Sequence, residues 1–341
     1  MPEHIKDLTV VLVLASLVWF FASRPALAVI DSADLSRRRN AWLALTIGSF
    51  LISNFWVFAL LAVALLSFAA QRESSRVALF FSMLFVMPAA SVEVPGFGVI
   101  NYLIALDYLR LLSLAVLLPA WLKLALRGDA APFGRTGPDK LLFAFLVLST
   151  VLQLRETSFT DTMRYAFNLF VDIFLPYVVI SRSLRTLHDF RAALFAFVLA
   201  ALVLALVAVA ETLFFHLFYR PPLVRMGLTW SFLHYLPRNG MLRAAGSTGH
   251  PIALGYVMIM AIGFFVFIKH YIASPRLRFF GMALLLAGFV APFSRGPWIG
   301  GVVFLVVFIL TGAEPFKRLA KVLIAALMAI PLLTVLPGGH A

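Results

Sequence analysis

The stretch ALFAFVLAALVLALVAVA, residues 193–210, decides the fold. It holds only Ala, Leu, Phe and Val, so no side chain in it can hydrogen-bond water. As a helix it is about 27 Å long at 1.5 Å per residue, close to the hydrocarbon thickness of a bilayer. It is apolar on both faces, which a transmembrane barrel strand with its alternating polarity is not.

The same pattern recurs from end to end. The chain has 341 residues, of which 62% are hydrophobic and 13% charged, with a mean hydropathy of +0.99. Apolar runs of about 17–25 residues exclude a soluble globule and predict an all-α, polytopic membrane protein. We expect about eleven transmembrane helices in a single domain over residues 1–341, with one extramembrane loop at 220–250. Near the N-terminus, Lys6, the apolar run Leu8 to Phe21 and Ala26-Leu27-Ala28 imitate a cleavable signal, but Arg24 and Pro25 interrupt it and further spans follow. The first helix is therefore expected to stay. The apolar block 41–70 is too long for one span, and Ser53 and Asn54 mark a helical hairpin within it. Later spans are expected at 77–92, 103–124, 251–268, 279–294, 297–310 and 319–336.

A net charge of +13 would suggest nucleic acid in a soluble protein. Here most Lys and Arg stand in short loops between spans, where they set orientation, so no nucleic-acid partner is expected. Arg37, Arg38 and Arg39 argue for a cytoplasmic loop between residues 22 and 40. From residue 123 onward, alternating spans put thirteen basic residues inside and seven outside. All seven are arginine: Arg155, Arg164, Arg220, Arg225, Arg238, Arg243 and Arg295. Four of them fall in RPPLVRMGLTWSFLHYLPRNGMLRAAGSTGH, residues 220–250, which contains no acid. A planar fork of donors suits phosphate, and anchoring to lipid headgroups is the plainer alternative. The absence of cysteine excludes disulfides and thiolate metal sites.

Two short motifs concentrate the signal. In RAAGSTGHPIALG, residues 243–255, Pro251 suits the first turn of a helix, and Gly246 and Gly249 let backbone approach a ligand. The N–H groups and dipole of that helix start favour an anion, with Arg243 and Arg238 beside them. In PFSRGPW, residues 292–298, Ser294 and Arg295 close one apolar span as Gly296 and Pro297 open the next. Elsewhere, Asp107 and Arg110 stand three apart on one helix face and read as a structural pair. Asp172 has no assignable role. There is no HExxH and no DxD; Asp31 and Asp34 lie among arginines, and no metal or cofactor is implied.

The Gly-x-x-Gly-His-Pro-x-x-Leu-Gly segment (Gly246 to Gly255) followed by the Ser-Arg-Gly turn (Ser294 to Gly296) resembles the O-antigen ligase and polymerase-like superfamily of bacterial envelope glycosyltransferases. The stretch RRRNAWLALTIGSFLISNFWVF, residues 37–58, is similar to a subgroup of O-glycosylation ligases accompanying exosortase systems. The resemblance implies a multi-pass protein of the bacterial inner membrane that moves a glycan from an undecaprenyl diphosphate carrier to a lipid, protein or glycan acceptor on the periplasmic face. It implies that Arg238, Arg243 and Arg295 hold the diphosphate, with Glu211 and Ser294 in support. His250 stands where the family more often has asparagine. In the family, a long periplasmic loop carrying the proposed histidine base follows a span like 319–336. This chain stops at LPGGHA, so a truncated chain is expected, with His340 marking the start of that loop.

The chemistry needs charge stabilised on phosphate and a proton taken from an acceptor hydroxyl. The outward candidates for the base are His250, His340, His234 and Glu211, with Glu211 better suited to orienting an arginine. Two other functions fit the composition: a flippase or transporter for lipid-linked oligosaccharide, and a non-catalytic membrane component of an envelope polysaccharide system. A transporter should carry charge near the bilayer midplane and often shows an internal repeat. Neither is seen in the sequence.

Overall fold

The computed structural model describes residues 1–98, 101–127, 131–228, 234–238 and 240–311, and it divides into two units, Met1–Phe293 and Ser294–Ala341. In the first unit, α1 (Glu3–Ala26), α2 (Ser32–Leu51), α3 (Phe55–Arg72) and α4 (Arg76–Met83) lead into a hairpin of β1 (Val92–Pro95) and β2 (Tyr102–Leu106). Next come α5 (Tyr108–Leu112), a π turn (Ser113–Leu117), α6 (Leu118–Arg127), α7 (Gly137–Glu156), α8 (Phe159–Leu169), a second π turn (Phe170–Phe174) and α9 (Leu175–Ser183). α10 (Leu187–Phe214), α11 (Arg220–Arg225), the two-residue strands β3 (Pro237–Arg238) and β4 (Met241–Leu242), α12 (Pro251–Ile268) and α13 (Pro275–Val290) complete it.

The protein is predominantly helical, and seven helices among the described residues are long and apolar enough to cross a membrane, where about eleven were expected. They span Glu3–Ala26, Phe55–Arg72, Tyr108–Leu126, Gly137–Glu156, Phe159–Ser183, Leu187–Phe214 and Pro251–Tyr271, as a multi-pass membrane protein requires. The helix expected over 77–92 stops at Met83, because the chain turns there toward the strand at Val92. The loop expected at 22–40 is largely helix, since α2 begins at Ser32 and carries Arg37, Arg38 and Arg39 itself. The break expected at Ser53 and Asn54 is present: Asn54 caps α3, its side chain accepting from the N–H groups of Trp56 and Val57. Both π turns end two residues before a proline, Pro119 and Pro176. A proline cannot donate to the carbonyl four residues back and clashes with it, and the wider turn relieves that clash.

α10 is the axis of the first unit. Thr186 and Asp189 close a capping box at its start, and 78% of its most apolar stretch is buried, against 6% for α7. α1, α4, α12 and α13 pack on it. Small residues make this possible: a Cβ added at Gly288 of α13 would lie 2.6 Å from Ala205 Cβ on α10. The two ends of α1 mark two ends of the unit. Glu3 and His4 share a cavity with Arg220 and Arg225, while Ala22 and Pro25 line a groove with Ser274 and Arg276. Arg225 and Arg276, assigned to opposite sides from their loops, therefore stand at opposite ends.

Near the start of α2, Arg38 is buried and its guanidinium is bound by Glu73, while Ser74 donates to Asp34 and Arg37 bonds Asp34 at 2.6 Å. Two members of the basic cluster thus meet carboxyl groups, while Arg39 bonds the Asn40 side chain. The second unit contributes α14 (Arg295–Leu310), apolar but sixteen residues long. The span expected at 319–336 lies outside the described residues.

Candidate functional site

Glu211 sits in the last turn of α10, fully buried, and its Oε2 accepts from the backbone N–H groups of Ala245 (3.0 Å) and Gly246 (2.8 Å). Its expected role as a support for an arginine is therefore corrected: the carboxylate fastens the backbone of the extramembrane loop to the central helix. Gly246 adopts φ +52° and comes so near α10 that a Cβ would lie 2.5 Å from Leu204 Cδ1. This glycine serves internal packing, not the approach of a ligand. Ser247 Oγ donates to Phe85 O at 2.8 Å and ties the same loop to the segment after α4.

Above this anchor, Arg238 and Arg243 converge on one turn. Arg238 Nη1 donates to Phe293 O at 2.7 Å, and Arg243 Nε donates to Pro292 O at 3.1 Å. Ala244 N–H and Thr212 Oγ1 both donate to Ala291 O, at 3.2 and 3.3 Å. The β3–β4 hairpin sets the spacing, with Arg238 opposite Met241 and Arg243 just past its end. Burial first, then the neighbouring Arg238 charge, pushes the Arg243 guanidinium below the usual arginine value. Two like charges held this close favour a ligand that carries more than one negative charge.

His250 is the N-cap of α12, and its Nδ1 accepts from Ile252 N–H at 3.2 Å. In the neutral ring the proton then sits on Nε2, so the nitrogen turned away from the cap is a donor and not a base. This arrangement fits a structural cap, as asparagine would be, and it uses one of the helix-start N–H groups that the sequence suggested for an anion. In the second unit, Ser294 holds the N-cap position of α14 and Arg295 is its first residue. His234 is exposed, and His340 lies outside the described residues. Among the described residues no group of His, Asp or Glu is disposed to hold a metal ion.

Three arrangements were not legible beforehand. Asp172, without a role in the sequence, takes Arg110 by Nε and Nη2 at 3.2 and 3.0 Å, while Asp107 caps α5 through Arg110 N–H. Arg164, expected to face outward as a phosphate-suited cation, bonds Asp161 and the carbonyls of Tyr102 and Leu103, with its guanidinium 3.8 Å from the Tyr102 ring centroid. The third is a chain of Asp7, His216 and Tyr235. His216 Nε2 lies 2.9 Å from Asp7 Oδ2, and its Nδ1 lies 3.3 Å from Tyr235 Oη. The advance signals were His216, inside the span expected over 192–218, and Asp7, an ionisable group early in an apolar helix.

Backbone strain falls at both places. Among the described residues, the non-glycine positions with positive φ are Phe215 (52°) and Phe293 (46°). Phe215 ends α10 and delivers His216; Phe293 offers its carbonyl to Arg238. Bulky residues in this conformation are held by their surroundings at a cost of about 1–3 kcal/mol each and concentrate at functional sites. No family model, curated protein or solved structure matches the chain.

Proposed function

We propose that this chain is a glycan ligase or polymerase of the bacterial inner membrane, transferring a glycan from an undecaprenyl diphosphate carrier to a lipid, protein or glycan acceptor on the periplasmic face, without a metal. The observation that carries the reading is the convergence of Arg238 and Arg243 on the turn at Pro292 and Phe293. In this reading their charges stabilise the diphosphate as the sugar–phosphate bond breaks, a task that preorganised cations perform well at a membrane surface. Arg295 and Ser294 join the reading through the Ser-Arg-Gly turn of the sequence, and Glu211 supports it by holding the loop in place.

Single substitutions Arg243→Ala and Arg295→Ala test the proposal, with transfer from a polyprenyl diphosphate-linked glycan measured in detergent. A loss of about a hundredfold or more at normal expression is expected, the scale of removing a transition-state charge contact. Full activity in both variants would overturn the reading. Movement of labelled donor across proteoliposomes without any transfer would assign the chain to the flippase class instead.

A further inference from the structure

At the extramembrane end of α1, a cavity of about 180 Å³ is lined by Glu3, His4, His216, Arg220, Arg225 and Tyr235, among others. Behind it Asp7, 4% exposed, accepts from His216 Nε2. That bond fixes the imidazole proton on Nε2 and leaves Nδ1 as the acceptor, facing the Tyr235 hydroxyl. Leu217 N–H donates to the same phenol oxygen at 3.4 Å, and the Arg220 guanidinium stands 5.2 Å from the ring centroid. The N–H bond orients the phenol oxygen, and the cation packs on the ring face. An orienting carboxylate, a base and a hydroxyl opening on a polar cavity are the parts of a proton relay.

We propose that Asp7, His216 and Tyr235 form the proton-accepting site for the acceptor hydroxyl, a sugar or other alcohol bound in this cavity; the assignment rests on the glycan-transfer reading above. The acceptor O–H gives its proton to the Tyr235 oxygen as the Tyr235 proton passes to His216 Nδ1. The acceptor oxygen forms its bond to the sugar carbon, the carbon–oxygen bond to the diphosphate breaks, and the electron pair leaves with the diphosphate. The imidazolium, paired with Asp7, returns its proton to the leaving diphosphate or to water. Tyr235 is the catalytic residue and Asp7 a positioning residue. Tyr235 lies three residues before Arg238, so one short segment carries the acceptor end and the donor end of the reaction.

An arylsulfonyl fluoride tests the relay independently of transfer. The tyrosine oxygen bonds to sulfur, fluoride leaves, and the phenol proton passes to the base. In the full-length protein in micelles, mass spectrometry should show Tyr235 labelled about a hundredfold faster than Tyr102, a base-assisted margin. Tyr102 is the control because Arg164 covers its ring, so both rings carry a cation. His216→Gln should lower Tyr235 to the Tyr102 rate. Asp7→Asn should slow Tyr235 labelling at an unchanged Tyr102 rate, because the imidazole loses the carboxylate that holds its proton on Nε2. The other charged groups around it are Glu3 and His4 on α1, Glu211 on α10, and Arg220 and Arg225 on α11. Tyr235→Phe, which keeps the ring, should slow transfer by a similar factor with donor binding unchanged. Labelling of Tyr235 that ignores His216, or unchanged transfer in Tyr235→Phe, would overturn the proposal. His216-dependent labelling in a wild-type protein that transfers nothing would retain the relay and reject the glycan-transfer reading.

Discussion

At the scale of single residues, the arginine pair was legible because charge without countercharge stands out in an extramembrane loop. Its setting was not. Arg238 and Arg243 meet carbonyls some fifty residues later in the chain, and Glu211 serves backbone N–H groups that any sequence would present equally. Glu73 shows the same limit, since nothing in QRESSR identifies it as the partner of buried Arg38. Burial pushes the Glu73 carboxyl up to about 7 despite the pull of Arg38. A carboxyl raised in the folded state contributes stability that is fully present below its unfolded pKa and is lost as pH rises through about 7. Thermal unfolding in detergent should therefore show stability falling from pH 5 to pH 8 in the wild type, and a flatter profile in Glu73→Gln, which keeps an acceptor. Glu73→Ala leaves Arg38 buried beside Asp34, 4.0 Å away, and should destabilise by about 3–5 kcal/mol.

Among elements, agreement follows local chemistry. α12 runs from Pro251 to Ile268 as expected, because a proline at the first turn and an unbroken apolar run both act within a few residues. Asn54 divides α2 from α3 for a similar reason. One missed case is α4, where residues after Met83 are apolar enough for a span yet turn toward a β-hairpin whose second strand takes the start of the span expected at 103–124; hydropathy reports burial and not backbone path. Helix contacts are likewise set by partners distant in sequence. An added Cβ at Gly288 meets Ala205 Cβ and Cα at 2.6 and 2.9 Å, and a backbone atom cannot step aside. Gly288→Ala should cost about 1–3 kcal/mol in thermal stability despite the better helix propensity of alanine. Gly48→Ala should be neutral or mildly stabilising, because its nearest neighbour is the far end of Leu61, at 2.8 Å.

For the whole molecule, composition alone fixed a helical multi-pass protein, whereas the number of spans depended on turns that composition does not encode. Loop charge gives only an expected sidedness, and the first unit places Arg225 and Arg276 at opposite ends of α1. Cysteines introduced singly at these positions should differ: under the proposed function, an impermeant thiol reagent applied to the outer face should label position 225 and leave position 276 untouched, and the reverse pattern would invert the orientation. The contact between Asp7 and His216 also has a meaning for synthesis. The two residues are 209 positions apart, so at about 5–20 residues per second the first helix waits roughly ten to forty seconds before its partner leaves the ribosome. The arginine loop waits longer still, until Pro292 and Phe293 supply its carbonyls. Assembly order thus keeps the loop unfinished until α13 has been made, and a nascent chain interrupted before that point presents its arginines without the turn that gathers them.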